Sequence, residues 1–384
     1  MTIGVLGAGS MGSGIAQVAA SNGHKVLIYE NNESAAQKAK AGLEKILGRL
    51  VEKTNISEAE KSEIIARIKY VSGLNEMAEC GLIIEAIIEN LDVKKTVFST
   101  LEEIVGDSCI LASNTSSLSI ASIGSACKKA ERVVGIHFFN PAPLMPLVEI
   151  IPSLNTSGEV LENARVIIDS WGKKTVVVKD TPGFIVNRLA RPFYGEAIRI
   201  YEEGLADMPT IDQAMKDKGF KMGPFELMDY IGNDINYTVT ETVFREFFYD
   251  PRYKPSFTQK RMMESGRLGR KSGKGYYDYS ENAVNPKPLE DEGLKKMIFD
   301  RIICLLINEA ADALYLNIAS KEDLETAMIK GVNYPKGLLA WADELGVSHV
   351  YSTLKNLQEG YGEDRYRPSI LLKKMADQGS AFYN

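Results

Sequence analysis

Two side chains in the middle of this sequence have the types and spacing of a proton-transfer pair. His137, one of only three histidines, lies in the apolar stretch 135–139 at the end of a predicted strand, and Glu149 follows within the apolar stretch 147–151. A carboxylate in apolar surroundings is costly unless it has a partner. If Glu149 accepts a hydrogen bond from one ring nitrogen of His137, it fixes the tautomer and leaves the other nitrogen to act as a base. We therefore predict that His137 is a general base supported by Glu149.

A second candidate site is the glycine-rich loop near the N-terminus. The sequence GAGSMG at 7–12 follows a predicted strand and opens a predicted helix, which is the context of a dinucleotide-binding loop. The first glycine permits a tight turn, the second lets a pyrophosphate approach the backbone, and the third lets helix and strand pack closely. The helix N-terminus attracts the phosphates. The pattern predicts that the cofactor contacts Gly7, Gly9, Ser10, Met11 and Gly12.

The residue that ends the second predicted strand indicates which dinucleotide binds. Glu30 comes 18 residues after Gly12 and can accept hydrogen bonds from both ribose hydroxyls of adenosine. The same carboxylate would repel a 2′-phosphate, and Asn31 and Asn32 follow it where an arginine could have bound one. We therefore expect NAD rather than NADP as the cofactor.

The first half of the chain alternates strand and helix patterns. Such alternation is typical of a mostly parallel sheet covered by helices on both faces. The carboxyl ends of its strands would then position the loop, Glu30 and His137 at one edge. Strands are predicted at 2–6, 25–29, 82–86, 109–112, 133–138 and 147–151, and helices at 10–21, 33–53 and 58–67.

The second half is mainly helical and contains an internal repeat. Residues 184–271 shifted by 113 meet 297–384, so that Arg188 lands on Arg301 and Glu196 on Glu309. This indicates two copies of a helical unit. The predicted fold class is an α/β Rossmann-type nucleotide-binding domain followed by two repeated all-α domains. Its predicted ranges are 1–182, with a helical insertion at 33–69, then 183–284 and 285–384.

Length and composition exclude several classes of protein. The chain has 384 residues, of which 45% are hydrophobic and 25% charged, and its net charge of -6 gives no support to nucleic-acid binding. No apolar run approaches the ~20 residues that span a bilayer, and no signal peptide pattern begins the chain. The four cysteines lie far apart without the spacing of metal ligands. We expect a cytoplasmic protein with reduced thiols, no metal site and no membrane partner.

Four longer motifs add a family resemblance. They are SNTSS at 113–117, HFFNP at 137–141, DTPGFIVNR at 180–188 and MGPFEL at 222–227. With them the chain resembles the L-3-hydroxyacyl-CoA dehydrogenase family over residues 1 to about 280, and its repeat resembles the longer bacterial members and the multifunctional β-oxidation enzymes. The resemblance implies NAD-dependent oxidation of an L-3-hydroxyacyl-CoA to the 3-oxoacyl-CoA, within fatty acid metabolism.

The resemblance also implies roles for individual residues. Ser116 would hydrogen-bond the C3 oxygen of the substrate, Asn187 would position the substrate near the thioester or the C3 oxygen, and Lys53 would lie near coenzyme A. The nicotinamide half of the cofactor would be lined by Glu89, Lys94, Asn114 and Asn140. From the residues alone, Glu89 and Lys94 could instead form an exposed ion pair on a helix face.

Several readings stay open at this point. The substrate could be a free hydroxy acid or sugar acid, and an acyl-CoA could carry either a short chain or the second carboxylate of 3-hydroxyadipyl-CoA. A non-catalytic NAD-binding or structural protein is the alternative of another class. The second repeat has Asp300 where Asn187 stands in the first, so we predict a structural role for it. It would give a monomer with an internal pseudo-dimer, with a homodimer as the alternative.

Overall fold

A computed structural model describes residues 1–383, and the chain divides into two compact units. The first unit runs from Met1 to Phe184 and the second begins at Ile185. The family-type motif DTPGFIVNR therefore crosses from one unit to the other. The helices within residues 1–383 include none with both the length and the apolar content to cross a membrane.

The first unit is built on one eight-stranded sheet with the strand order β3-β2-β1-β4-β5-β6-β7-β8. All neighbouring strands are parallel except β6 and β7, which are antiparallel. The central strands β4 and β5 are buried along their whole length, as expected where helices cover both faces. The strands are β1 Thr2–Leu6, β2 Lys25–Tyr29, β3 Ile68–Val71, β4 Leu82–Glu85, β5 Ile110–Ser113, β6 Val133–Phe138, β7 Leu147–Pro152 and β8 Lys174–Val177.

Helices connect most of these strands and bury apolar side chains against the sheet. Helix α3 shows how the sequence sets a helix start: the Ser57 side chain accepts from the Glu60 backbone, and the Glu60 side chain accepts from the Ser57 backbone. This capping box satisfies backbone groups that would otherwise lack partners. The helices of this unit are α1 Ser10–Ser21, α2 Glu33–Glu52, α3 Glu58–Arg67, α4 Leu91–Ile104, α5 Ile120–Gly124 and α6 Gly158–Ser170.

Two strands correct the prediction for the first unit. The helical insertion predicted at 33–69 ends at Arg67, because Ile68–Val71 pairs with β2 as strand β3. Strand β8 at Lys174–Val177 was not predicted either, and it pairs with β7. Both strands have only four residues, IKYV in β3 and KTVV in β8, which is too short a stretch for a period of two to separate a strand from a loop.

The regular elements of the second unit within residues 185–383 are all helices, and isolated β-bridges occur only at residues 269–278. Several helices of its second half begin 113 or 114 residues after a helix of its first half, as α14 does relative to α9 and α15 relative to α10. These matching starts support the proposal of a duplicated unit. The helices are α7 Val186–Leu189, α8 Arg191–Glu202, α9 Met208–Lys216, α10 Pro224–Ile231, α11 Asn233–Glu246, α12 Phe257–Glu264, α13 Glu292–Tyr315, α14 Lys321–Gly331, α15 Leu338–Leu345, α16 Val347–Tyr361 and α17 Ile370–Gln378.

The core of the second unit contains two reciprocal ion pairs. Arg188 lies 3.7 Å from Glu309, and Arg301 hydrogen-bonds Glu196. Since Arg301 and Glu309 stand 113 residues after Arg188 and Glu196, each half of the unit supplies the arginine of one pair and the glutamate of the other. Reciprocal contacts of this kind characterise two-fold interfaces, in which residue i contacts j and j contacts i.

Candidate active site

The candidate site of the first unit forms where four parallel strands end. The backbone N–H of Ala86, after β4, donates to the carbonyl of Leu6 at the end of β1 over 2.8 Å. The N–H of Asn114, after β5, donates to the carbonyl of Glu85, and the Asn114 side chain accepts from the N–H of Phe138 in β6, both over 2.8 Å. These bonds hold the strand ends together at the edge where open α/β sheets bind ligands.

The glycine loop has the shape that a dinucleotide requires. Gly7 has a φ of 90°, and a Cβ there would lie 2.6 Å from the carbonyl oxygen of Ala86. A Cβ on Gly12 would overlap the carbonyl oxygen of Gly7, so the third glycine is needed for helix α1 to pack against β1. Gly9 differs, because a Cβ there would meet no atom within 4 Å. The space beside Gly9 is therefore open, as the predicted approach of a pyrophosphate to the backbone requires.

Glu30 lies next to this loop, directly after β2. Its Oε2 accepts from the backbone N–H of Ala8 over 2.9 Å, and its Oε1 accepts from the N–H of Asn32 over 3.2 Å. The carboxylate is thereby held beside the glycine loop, where it can meet an adenosine ribose. Ser10, at the start of α1, lies 3.5 Å from the side-chain oxygen of Asn140, which brings the loop after β6 to the same edge.

The His137–Glu149 pair is a product of strand register. In the antiparallel pairing of β6 with β7, His137 stands directly opposite Glu149. Side chains of directly opposed residues project from the same face at contact distance. Nδ1 of His137 lies 2.7 Å from Oε2 of Glu149, and both residues are buried.

Aromatic rings shield this pair. The ring of His137 lies 4.6 Å from that of Phe139 and 5.8 Å from that of Phe184, measured between centroids. Within residues 1–383, the imidazole makes its hydrogen bond through Nδ1, which leaves Nε2 available to a ligand. The pair can therefore accept a proton at Nε2 while Glu149 holds Nδ1–H and stabilises the imidazolium.

Ser116 lies in a loop after β5 that a carboxylate holds in place. Oε1 of Glu89 accepts hydrogen bonds from the hydroxyls of Thr115 and Ser117 and from the backbone N–H of Ser116, over 2.5, 3.1 and 3.2 Å. Burial alone would raise the pKa of Glu89, but the charge of Lys94 and these hydrogen bonds outweigh it and lower the pKa. Glu89 is thus an ionised group that orders the loop carrying Ser116.

Lys94 is buried, so its ion pair with Glu89 is present but is not the exposed pair that the residues alone allowed. Its Nζ lies 2.5 Å from Oε1 of Glu85 and 3.2 Å from Oε2 of Glu89. Glu85 is fully buried at the end of β4 and also accepts from the hydroxyl of Ser113 over 2.7 Å. Glu85 was not among the residues predicted from the sequence. The available signal was a carboxylate ending the apolar stretch 82–84, the same signal that singled out Glu149.

Two of the predicted substrate residues do not belong to these strand ends. Lys53 is the exposed residue directly after helix α2. Asn187 belongs to the second unit, in the short helix α7, and its backbone carbonyl accepts from Nε of Arg191 over 2.9 Å. No cluster of three or more potential metal ligands occurs within residues 1–383.

Comparison with known proteins places the chain in a family. Residues 2–181 match the family model described as "3-hydroxyacyl-CoA dehydrogenase, NAD binding domain", and residues 183–279 and 297–381 match the model of the "C-terminal domain" of the same enzymes. The chain belongs to the 3-hydroxyacyl-CoA dehydrogenase family. It is an NAD-dependent oxidoreductase, and the open glycine loop and Glu30 fit that cofactor.

Individual members of the family differ in length and in the substrate for which they are named. A 3-hydroxyadipyl-CoA dehydrogenase of Escherichia coli K12 is 37% identical, over 98% of this chain and 97% of that protein. A 3-hydroxybutyryl-CoA dehydrogenase of Clostridioides difficile is 39% identical, over 73% of this chain and all of that protein. The crystal structure of a 3-hydroxybutyryl-CoA dehydrogenase from E. coli K12 superposes with a TM-score of 0.92 at 36% identity, over 99% of this chain and 98% of that one.

Proposed function

We propose that this protein oxidises the C3 hydroxyl of an L-3-hydroxyacyl-CoA to the 3-oxo group, with His137 as the general base. The observation that carries the proposal is the buried contact of 2.7 Å between His137 and Glu149, at the edge of the sheet that carries the glycine loop. Bound NAD+ would supply the acceptor for the hydride that leaves C3.

The residues of the chain move and hold the proton. Nε2 of His137 takes the hydroxyl proton, and the imidazolium so formed is stabilised by Glu149, which accepts from Nδ1–H throughout. Ser116 would donate to the C3 oxygen, since Glu89 orders its loop. Asn187 would orient the acyl thioester. Phe139 and Phe184 limit the access of water to the imidazole, which strengthens its interaction with Glu149.

The cofactor contacts beyond the glycine loop belong to the same proposal. Asn114 and Asn140 follow β5 and β6 and would meet the nicotinamide half of NAD. Glu89 would contribute its negative charge there, and buried Lys94 would act by positioning Glu89. Lys53 would contact coenzyme A.

A substrate panel tests the proposed function. NADH formation is measured at 340 nm with L-3-hydroxybutyryl-CoA, its D enantiomer and free L-3-hydroxybutyrate. We expect activity with the L-thioester alone, and His137→Gln should lower its turnover by about 10²–10⁴-fold while NADH still binds. Activity with the free acid and none with the thioester would contradict the proposal and favour a hydroxy-acid dehydrogenase. Absence of turnover with intact NADH binding would favour a non-catalytic relative.

We also propose that the second unit is an internal pseudo-dimer of domains 183–284 and 285–384. Besides the reciprocal arginine pairs, the hydroxyl of Tyr253 donates to Glu309 over 2.5 Å, and that of Tyr366 donates to Glu196 over 3.0 Å. The tyrosines stand 113 residues apart, as the glutamates do. Because each of the two helical domains is already paired with the other within the same chain, neither requires the corresponding domain of a second subunit. Light scattering on the full chain should therefore give a monomer, and an obligate dimer would contradict the proposal.

A further inference from the structure

The second unit contains three buried arginines, and one of them has no carboxylate partner. Arg188 pairs with Glu309 and Asp312, and Arg301 pairs with glutamates. Arg191 is also buried, with 7% of its surface exposed, yet it forms no ion pair within residues 1–383. Buried charges in proteins are ordinarily paired, because an isolated charge is expensive to remove from water. Arg191 therefore needs an explanation.

The contacts of Arg191 are all neutral. Its Nε donates to the carbonyl of Asn187 over 2.9 Å, its Nη1 donates to the hydroxyl of Thr240 over 3.1 Å, and its guanidinium lies 4.9 Å from the ring centroid of Tyr194. Burial lowers the pKa of Arg191, but a guanidinium stays protonated at neutral pH. The site thus holds a full positive charge, and Nη2 makes no hydrogen bond within residues 1–383.

An unpartnered hydroxyl lies in the same environment. The hydroxyl of Tyr334 is buried without any hydrogen-bond partner. Burial raises the pKa of Tyr334 well above its ordinary value, while the nearby charge of Arg191 acts to lower it. A buried donor left unsatisfied costs stability, as a lone charge does. A carboxylate would satisfy both the Arg191 guanidinium and the Tyr334 hydroxyl, since its two oxygens accept several hydrogen bonds and carry the missing negative charge.

The helical scaffold itself does not require a cation at this place. The residue 113 positions after Arg191 is Cys304, which is fully buried and neutral. The two proposed copies of the helical unit therefore differ here between a guanidinium and a thiol, although their arginine–glutamate pairs are reciprocal. A charge that one copy carries and the other omits points to a ligand rather than to packing.

The position of Arg191 indicates which ligand this is. Arg191 lies one helical turn after Asn187, the residue that the proposed function assigns to the substrate, and hydrogen-bonds its backbone. We propose that Arg191, aided by the hydroxyl of Tyr334, binds a carboxylate at the far end of the acyl chain, so that the substrate class is a dicarboxylic 3-hydroxyacyl-CoA. The inference rests on the proposed function and selects among its substrates.

The phosphates of coenzyme A are a second source of negative charge that a guanidinium could bind. They are common to every acyl-CoA, whereas the far carboxylate is present only in dicarboxylic ones. Two substrates of equal chain length separate these sources: 3-hydroxyadipyl-CoA, which ends in a carboxylate, and 3-hydroxyhexanoyl-CoA, which ends in a methyl group. The measured quantity is the ratio of their kcat/KM values.

Arg191→Met removes the positive charge and retains an unbranched aliphatic stem. Wild-type protein should prefer 3-hydroxyadipyl-CoA, and the variant should lower the kcat/KM ratio by about 10- to 100-fold, the range for a lost charge-assisted hydrogen bond. Arg199→Met is the matched control: Arg199 is on the same helix, two turns further on, and pairs with Glu203 and Glu363. It should leave the ratio unchanged.

Tyr334→Phe provides a second variant should Arg191→Met fail to fold. It removes only the unpartnered hydroxyl and should lower the same ratio by about three- to tenfold. A wild-type preference for 3-hydroxyhexanoyl-CoA, or an equal fall in both kcat/KM values in Arg191→Met, would overturn the inference, and the equal fall would assign Arg191 to coenzyme A. If neither thioester yields NADH, the proposed function itself fails, which is a distinct result.

Discussion

Replacing Glu149 with Gln removes one negative charge from the buried pair with His137 and keeps nearly the same shape. The contact of 2.7 Å leaves the centres of the two charges about 4 Å apart, where unit charges interact by about 4 kcal/mol at an effective dielectric constant near 20. The amide oxygen of Gln still accepts from Nδ1–H, so the tautomer is kept and part of the interaction survives. We take the net loss as about 2–3 kcal/mol.

In the proposed mechanism this loss affects the transition state more than the resting enzyme, because His137 would gain positive charge only as the hydroxyl proton moves. Glu149→Gln should therefore lower kcat by about 30- to 150-fold and leave the affinity for NADH nearly unchanged. Turnover is followed at 340 nm with saturating L-3-hydroxybutyryl-CoA, NADH binding by fluorescence, and folding by thermal denaturation.

A double variant shows whether Glu149 acts through His137. If it does, adding Glu149→Gln to His137→Gln should lower kcat no further than His137→Gln alone, since the group that the carboxylate supports is already absent. A kcat of Glu149→Gln within about threefold of wild type would refute the electrostatic role. A kcat of the double variant that falls by the product of the two single-variant factors would refute it as well.

The remaining predictions concern the cofactor loop, the ribose carboxylate and the thiols. Gly9→Val should leave the melting temperature nearly unchanged but weaken NADH binding at least about tenfold, because the valine side chain enters the open space at the loop. Gly12→Ala should instead lower the melting temperature, because the alanine Cβ overlaps a backbone oxygen. Glu30→Ala should raise the Kd of NADH about tenfold with little change in kcat at saturation, and an unaltered Kd would remove Glu30 from the site. Burial raises the pKa of Cys80 and Cys127 to about 11 and that of Cys109 and Cys304 to about 12. Since thiolate is scarce at pH 8, a thiol reagent should label none of them before unfolding and all four afterwards; labelling of the native protein would contradict this.

Features that depend on neighbours in the chain were predicted well. Strands β1, β2 and β6 and helices α1 and α3 have the predicted bounds, because short apolar strands and a capping serine such as Ser57 are local signals. The pair of His137 with Glu149 also follows from local information, since both lie in apolar strands joined by one short loop. A histidine and a carboxylate in such strands have few other ways to satisfy their polar atoms.

Features that depend on distant neighbours were predicted less well. From the residues alone, Lys94 could have formed an exposed ion pair with Glu89, but Glu85 at the end of strand β4 pairs with Lys94 and makes its burial tolerable. Strand β3 is recognisable only by its partner, β2, because its four residues carry no strong period.

The glycine loop, the pairing of His137 with Glu149 and the 113-residue offset could be recognised before any fold was known, because each depends on residue types at fixed spacing. Which charges are compensated, in contrast, depends on how the helices pack. Arg188 and Arg191 stand three residues apart and look equivalent in the sequence, but helix α13 brings Glu309 and Asp312 to Arg188 and brings no carboxylate to Arg191. Whether a charge is paired depends on the packing of elements far apart in the chain, and no local pattern encodes that packing.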